Sequence, residues 1–122
     1  MKTDINTPAD ISFLVNAFYE KVQKDPSLRP FFQHLDWEQH LPKMKQFWRF
    51  LLLNEPGYTT NVTEKHVGLP LTRGLFKVWI ALFNETVDEN FEGLTANLAK
   101  EKANLIAFGI QAKMNLLEED SN

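Results

Sequence analysis

The sequence predicts an all-α fold, and two observations lead to that prediction. Four long segments carry apolar residues three and four positions apart, which is the repeat of an amphipathic helix. No run alternates apolar and polar positions with the β-branched residues that are typical of a strand. Breakers and capping residues separate the segments. We therefore expect four main helices, with short pieces between the first and second and between the second and third.

The first helix is predicted to begin at Thr7, an N-cap residue type, with Pro8 at the first helical position. Asp25 and Pro26 end it, because proline disfavours helical backbone at the residue before it. Residues 27–34 are long enough for one or two further turns. The apolar positions of the first helix are Ile11, Leu14, Val15, Phe18 and Val22.

The second helix is predicted to begin after Asp36, with Gln39 placed to complete a capping box. Asn54 and the Pro-Gly pair that follows it end the helix. Pro42 falls within the first two turns, where it costs a hydrogen bond or kinks the helix. The apolar positions are Trp37, Leu41, Met44, Phe47, Trp48, Leu51 and Leu52.

The third helical pattern runs from about Thr72 to Val87, and Gly93 interrupts it. Thr95 is predicted to cap the last helix. The apolar stripe of the third helix contains Leu75, Phe76, Trp79, Ile80, Leu82 and Phe83, and that of the last contains Leu98, Ala99, Ala103, Ile106, Ala107, Ile110 and Met114.

The length, charge and composition of the chain restrict the number of domains, the partners and the cofactor chemistry that we expect. A chain of 122 residues without internal repeats is predicted to form a single domain over residues 1–122. The net charge of −3, without a run of like charges, argues against nucleic acid or an anionic membrane as partner. No stretch approaches the about 20 apolar residues that cross a bilayer, and no secretory signal is visible, so we expect a cytoplasmic protein. The absence of cysteine excludes disulfides, thiolate ligands and thioether attachment of haem.

Three residues on predicted buried faces carry polar groups: Tyr19, His40 and Trp79. Taken singly, each is explained as a core residue whose polar end is hydrogen-bonded or wet. Three such groups on three helices would satisfy one another if they converged on a shared pocket. We infer that convergence from the helix faces.

His66 lies in a short segment between two breaker pairs, which predicts a rigid turn. The segment fits a surface turn with an incidental histidine, and it equally fits an axial ligand to haem iron, since a neutral imidazole is the commonest such ligand. A zinc site would need further ligands, and the remaining histidine, His34, is predicted to be solvated.

Five segments together resemble the truncated haemoglobins, group III in particular. They occur in the family's order from about residue 11 to residue 110, and the Gly-Gly pairs that mark other truncated groups are missing. The segments are FYEKVQKD, HLPKMKQFWRFLL, KHVGLPL, FKVWIALFNETVDENFEG and AKEKANLIAFGIQ.

The resemblance implies a shortened globin fold, a two-over-two helical sandwich around haem b. His66 corresponds to the family's iron ligand. On the opposite, distal side, Tyr19 and Trp79 correspond to residues that face the bound ligand, and His40 corresponds to a histidine that gates the pocket in some members. Pro42, two residues after His40, departs from the family pattern and bears on the orientation of that histidine.

The resemblance also implies which residues hold the haem. Phe47 and Trp48 match an aromatic pair packed on the ring, and Phe32, or else its neighbour Phe31, matches a phenylalanine wedged against it. Lys43 and Lys65 fall where basic residues meet the haem propionates. The cofactor-binding set is therefore Phe32, Lys43, Phe47, Trp48, Lys65 and His66.

The function implied is binding of O2 and other diatomic ligands, such as NO and CO, at a five-coordinate haem iron. Nitric oxide detoxification or oxygen-linked redox chemistry would require a reductase as electron donor. Three alternatives stay open: peroxidase-like turnover of peroxide, a haem-based sensor or carrier, and a haem-free helical interaction module.

Overall fold

The chain folds into four α-helices and one short 3-10 helix over the residues that the computed structural model describes, which are 2–33, 36–56 and 71–113. All four helices lie in the segments predicted from the apolar repeats. The 3-10 helix is the predicted short piece between the first two helices, whereas the piece between the second and third falls outside the described residues. The elements are α1 (Pro8–Lys24), the 3-10 helix (Arg29–Phe31), α2 (Trp37–Leu53), α3 (Arg73–Asn90) and α4 (Leu94–Lys113).

Helix α1 begins with the predicted N-cap and is held by a reciprocal pair of hydrogen bonds. The Thr7 hydroxyl accepts from the Asp10 N–H at 3.2 Å, and the Asp10 carboxylate accepts from the Thr7 N–H at 3.0 Å. These bonds satisfy two backbone donors that the first helical turn leaves without partners. The helix ends at Asp25, whose backbone is extended, immediately before Pro26.

Helix α2 also begins where expected, but its cap differs from the prediction. Asp36 Oδ1 accepts from the Glu38 N–H at 3.1 Å, one residue earlier than the capping box predicted with Gln39. The helix continues through Pro42 to Leu53. It ends at Asn54, which adopts a left-handed conformation with a φ of 58°, a geometry that asparagine tolerates better than most residues.

The start of α4 corrects a second prediction, because Thr95 is not its cap. The carboxylate of Asp4, near the other end of the chain, accepts from the Thr95 N–H at 2.9 Å and from the Ala96 N–H at 2.8 Å. The Glu92 N–H donates to the Thr3 carbonyl at 2.9 Å, which fixes the N-terminal segment beside the α3–α4 turn. Asp4 thus supplies the capping oxygens that the prediction assigned to Thr95.

The core forms where α1 packs against both α2 and α3, while α4 packs against α3 and α2. The α4 face in this core consists mainly of alanines, which let the helix axes approach closely.

Lys21 of α1 is paired with Glu85 and Glu89 of α3 at 3.1 Å and 2.9 Å, across the outer edge of the contact between α1 and α3. None of the described helices is long and apolar enough to cross a membrane. Residues exposed by 1% or less include Ile5, Ile11, Leu14, Val15, Phe18, Val22, Phe83, Val87, Ala99 and Ala103.

Gly93 permits the contact between Asp4 and α4, and replacing it should be costly. Its φ of 143° lies in a region that side chains avoid, and an added Cβ would stand 2.5 Å from Asp4 Cγ. We expect Gly93→Ala to lower the free energy of unfolding by about 1–3 kcal/mol in urea titrations. Gly109→Ala is the matched control: its Cβ would meet nothing within 4 Å, so stability should rise by about 0.5–1 kcal/mol. Equal effects of the two substitutions would contradict this account.

The Asp4 contact should also make stability depend on acid. Burial raises the pKa of Asp4, but hydrogen bonds from the Thr95, Ile5 and Ala96 backbone N–H groups outweigh it and lower that pKa below its usual 3.8. A lowered folded pKa means that the stabilisation is complete above the ordinary value and is lost as the pH falls through the folded pKa.

Asp4→Asn keeps one acceptor oxygen but puts an NH2 donor in place of the other, so we expect it to cost about 1 kcal/mol at neutral pH, the net worth of one hydrogen bond. The difference from the parent protein should shrink as urea titrations are moved toward about pH 3. Asp88→Asn, which removes only an ion pair of an exposed carboxylate with Lys100, serves as the control and should cost less. A cost of Asp4→Asn that does not vary with pH would count against the charged cap.

Candidate functional site

Tyr19 lies in the last two turns of α1 and is buried, with 6% of its surface exposed. Its ring contacts aromatic residues from three parts of the chain. The centroid distances are 5.0 Å to Phe18, 5.5 Å to Trp37, 5.3 Å to His40 and 6.0 Å to Phe32. The phenol is therefore held in an aromatic shell, as its position on the buried face of α1 predicted.

His40 lies one turn into α2 and meets Tyr19 directly. The two rings are 5.3 Å apart and nearly perpendicular, at 81°. The imidazole is half-buried, and its Nε2 atom is buried. Its backbone N–H donates to the Asp36 carbonyl at 2.8 Å, so the helical position of the ring is fixed. Two of the three polar residues expected to converge are thus adjacent.

Trp79 stands one ring further away, on α3. Its indole makes an edge contact with Phe18 at 5.6 Å and stacks on Phe83 at 5.8 Å with 13° between the planes. Phe18 contacts both Trp79 and Tyr19, so its ring links the third polar residue to the first. The structure brings Tyr19 and His40 into direct contact and connects Trp79 to Tyr19 through Phe18.

The remaining candidate residues divide into those described by the structure and those outside it. Phe32 follows the 3-10 helix and is half-buried, as is Phe31 before it. Lys43 is exposed on α2. Lys65 and His66, the latter predicted as the iron ligand, lie outside the described residues.

The aromatic pair of α2 joins the core from the second helix. Phe47 and Trp48 contact each other at 5.5 Å, and Trp48, 3% exposed, stacks on Phe83 at 4.8 Å. Phe83 also stacks on Trp79, so a continuous layer of aromatic rings runs from α2 to α3. Trp48 and Phe83 are buried within this layer, and the half-buried rings at its ends, Phe47 and Trp79, leave flat apolar surface of the kind that packs against a planar group.

Trp37 belongs to the cluster although the sequence marked it only as an apolar position of α2. It stacks on Phe32 at 6.1 Å with 22° between the planes and contacts Tyr19 and His40 edge-on. Its position three residues before His40 was the available signal, since residues three apart share a helix face. We name these four rings, Tyr19, Phe32, Trp37 and His40, the distal cluster.

The distal cluster combines hydrogen-bonding groups with apolar walls. A phenol and an imidazole stand in contact, and most of the neighbouring rings carry no polar atom. In such surroundings a hydrogen bond to a small polar ligand is stronger than in water, because the local dielectric is low. The arrangement suits a small ligand that accepts hydrogen bonds and develops partial negative charge.

Comparison with known proteins gives the same architecture. No family model matches the chain. It is 31% identical over 118 residues to Group 3 truncated hemoglobin ctb of Campylobacter jejuni, covering 91% of this chain and 93% of that protein. It is 30% identical over 83 residues to Group 2 truncated hemoglobin YjbI of Bacillus subtilis, covering 64% of this chain and 62% of that protein.

The crystal structure of the group III truncated hemoglobin from Campylobacter jejuni matches this fold with a TM-score of 0.85, at 31% identity, covering 93% of this chain and 95% of that one. The fold is therefore the shortened globin fold, the two-over-two helical sandwich that the sequence predicted. With this extent of identity and coverage, the chain belongs to the truncated haemoglobin family, as a group III member.

Proposed function

We propose that the protein carries haem b and binds O2 and other diatomic ligands, such as NO and CO, beside the distal cluster. The observation that carries the proposal is the contact between Tyr19 and His40, a buried phenol 5.3 Å from an imidazole inside an aromatic shell. Family membership supports it, since truncated haemoglobins bind haem.

The residues present fit a haem group. Phe47 and Phe32 are half-buried and offer flat apolar surface, with the buried ring of Trp48 packed against Phe47, and Lys43 and Lys65 would pair with the propionates. His66 would supply the axial imidazole, and haem held in this way supplies an iron site at which diatomic gases bind reversibly. Because the chain has no cysteine, thioether attachment is excluded, which favours haem b.

The side chains then have separate roles toward a bound ligand. Tyr19 is the main hydrogen-bond donor, because it is the most buried residue of the distal cluster and carries a hydroxyl group. Trp79 is the second donor, on α3, and it shares with Tyr19 a contact to Phe18. His40 modulates access or adds a third contact. The surrounding rings exclude water, which strengthens these bonds and protects the ligand from side reactions.

The contact between His40 and Tyr19 also favours a second candidate function. An imidazole beside a phenol can accept and return a proton, which is the requirement for peroxide turnover. Nitric oxide detoxification, in which NO and O2 are converted to nitrate, would draw on the same hydrogen bonds to O2. Either reaction needs an electron donor such as a reductase, so turnover assays with and without one separate these activities from reversible gas binding.

The axial role of His66 is tested by its removal. We expect the parent protein, expressed with haem, to show the absorption spectrum of a five-coordinate ferrous haem that shifts on addition of CO. His66→Ala should lose most of its haem or change its axial coordination, because the substitution removes the imidazole that would bind the iron. His34→Ala, at the histidine predicted to be solvated, is the control and should match the parent. Unaltered colour and coordination in His66→Ala would refute the assignment.

The role of Tyr19 is tested by the rate of O2 loss. Tyr19→Phe removes the donor while keeping the ring that packs on Phe18 and His40. A hydrogen bond to a charged acceptor is worth about 1.5–3 kcal/mol, so O2 dissociation should accelerate by about tenfold to a hundredfold. Dissociation of CO, which carries little charge when bound, should change much less. Stopped-flow rates of O2 loss that equal those of the parent would eliminate Tyr19 as the main donor.

A further inference from the structure

Trp37 occupies a position that the proposed pocket depends on. It is the first residue of α2, immediately after the N-cap Asp36. Its ring lies 5.5 Å from that of Tyr19, 5.4 Å from that of His40 and 6.1 Å from that of Phe32. Trp37 is therefore in contact with every other member of the distal cluster.

The two polar members of the cluster and Trp37 form a closed triangle of contacts. The three centroid distances fall between 5.3 Å and 5.5 Å, and the contacts of His40 with Tyr19 and with Trp37 are both edge-to-face at 81°. Edge-to-face pairs have a preferred geometry, because the positive ring edge meets the negative ring face. A ring that is held edge-on by two neighbours has less freedom to rotate than a ring held by one.

The backbone around His40 gives additional importance to this packing. Pro42 has no N–H, so the Glu38 carbonyl lacks the helical hydrogen bond that residue 42 normally donates. The start of α2 is held by the hydrogen bonds of the Asp36 cap, before His40. After His40, at Pro42, the helix lacks one backbone hydrogen bond. With one backbone bond fewer in this turn, the contact with Trp37 gains importance for the orientation of the imidazole.

Burial differs within the distal cluster. Tyr19 is only 6% exposed, whereas Trp37, like Phe32 and His40, is half-buried and presents part of its surface to solvent. Trp37 is thus one of the half-buried rings that surround the buried ring of Tyr19. Movement of Trp37 would open a route to Tyr19 between α1 and α2.

We propose that Trp37 is a positioning residue of the distal side: it fixes the orientations of the Tyr19 phenol and the His40 imidazole and restricts ligand access between α1 and α2. The inference rests on the proposed function, since it concerns how these two side chains meet a bound ligand. Trp37 itself does not contact the ligand. It acts through the two rings that do.

The test uses the full chain loaded with haem, reduced and saturated with CO. For the parent and for Trp37→Ala, Trp37→Leu and Trp37→Phe, the CO association rate is measured by flash photolysis and the CO stretching band by infrared spectroscopy. Ring signals of Tyr19 and His40 are followed by NMR. Phe13→Ala is the matched control, because Phe13 is an exposed ring in a single edge contact with Phe91, outside the distal cluster.

Trp37→Ala should raise the CO association rate by about threefold to tenfold, which corresponds to the loss of one or two aromatic contacts. Its CO band should split or broaden, because Tyr19 and His40 take up more than one orientation. Trp37→Phe should restore a single band, since a smaller ring keeps the edge contacts. Trp37→Leu keeps apolar bulk without a ring, so it should behave like Trp37→Ala, and it carries the test if the alanine variant does not fold. Phe13→Ala should match the parent.

The outcomes separate this inference from the proposed function. A parent protein that takes up no haem overturns both. A parent that binds haem and CO, with Trp37→Ala or Trp37→Leu unchanged in rate, band shape and ring signals, overturns the role of Trp37 alone. A variant that loses thermal stability while its CO band stays single would assign Trp37 a structural role only, and this result also overturns the inference.

Discussion

The packing of one side chain, Phe18, determines how the polar groups of this molecule are arranged. Its ring is 1% exposed and lies within 5.0–5.6 Å of Tyr19, Trp79 and Phe83. Successive residues of a helix point about 100° apart, so fixing Phe18 against α3 directs Tyr19 toward α2. The phenol then meets His40, and α1 joins the other two helices through two neighbouring residues.

The helices followed from local sequence because their causes are local. The apolar repeat, the Thr7 cap and the helix-ending Asn54 act within a few residues, and each is placed as predicted. The cap of α4 depends on a hydrogen bond between residues 91 positions apart, from Thr95 to Asp4. Nothing in the sequence around Asp4 distinguishes an aspartate that caps a distant helix from one whose side chain is solvated. The tertiary contact with Asp4 therefore supplies the cap of α4, which the local sequence pattern assigned to Thr95.

The site was predictable to the extent that helix faces reveal burial. Tyr19, His40 and Trp79 were selected as polar groups on apolar faces, and the structure brings the first two into contact. That Phe18 contacts both Tyr19 and Trp79 depends on how α1 and α3 cross, which no single helix encodes. The sequence did not predict Trp37 as part of the site, for a related reason. An apolar residue on an apolar helix face is indistinguishable from an ordinary core residue until its polar neighbours from other helices are known.

The arrangement of the polar groups around Phe18 bears on how the proposed pocket would work. Tyr19 and His40 are in contact with each other, whereas Trp79 is linked to Tyr19 through their shared contact with Phe18. A ligand beside these residues would meet polar groups from α1, α2 and α3, each held by aromatic neighbours. A single apolar ring, Phe18, therefore organises the core and also relates the polar groups of the site to one another.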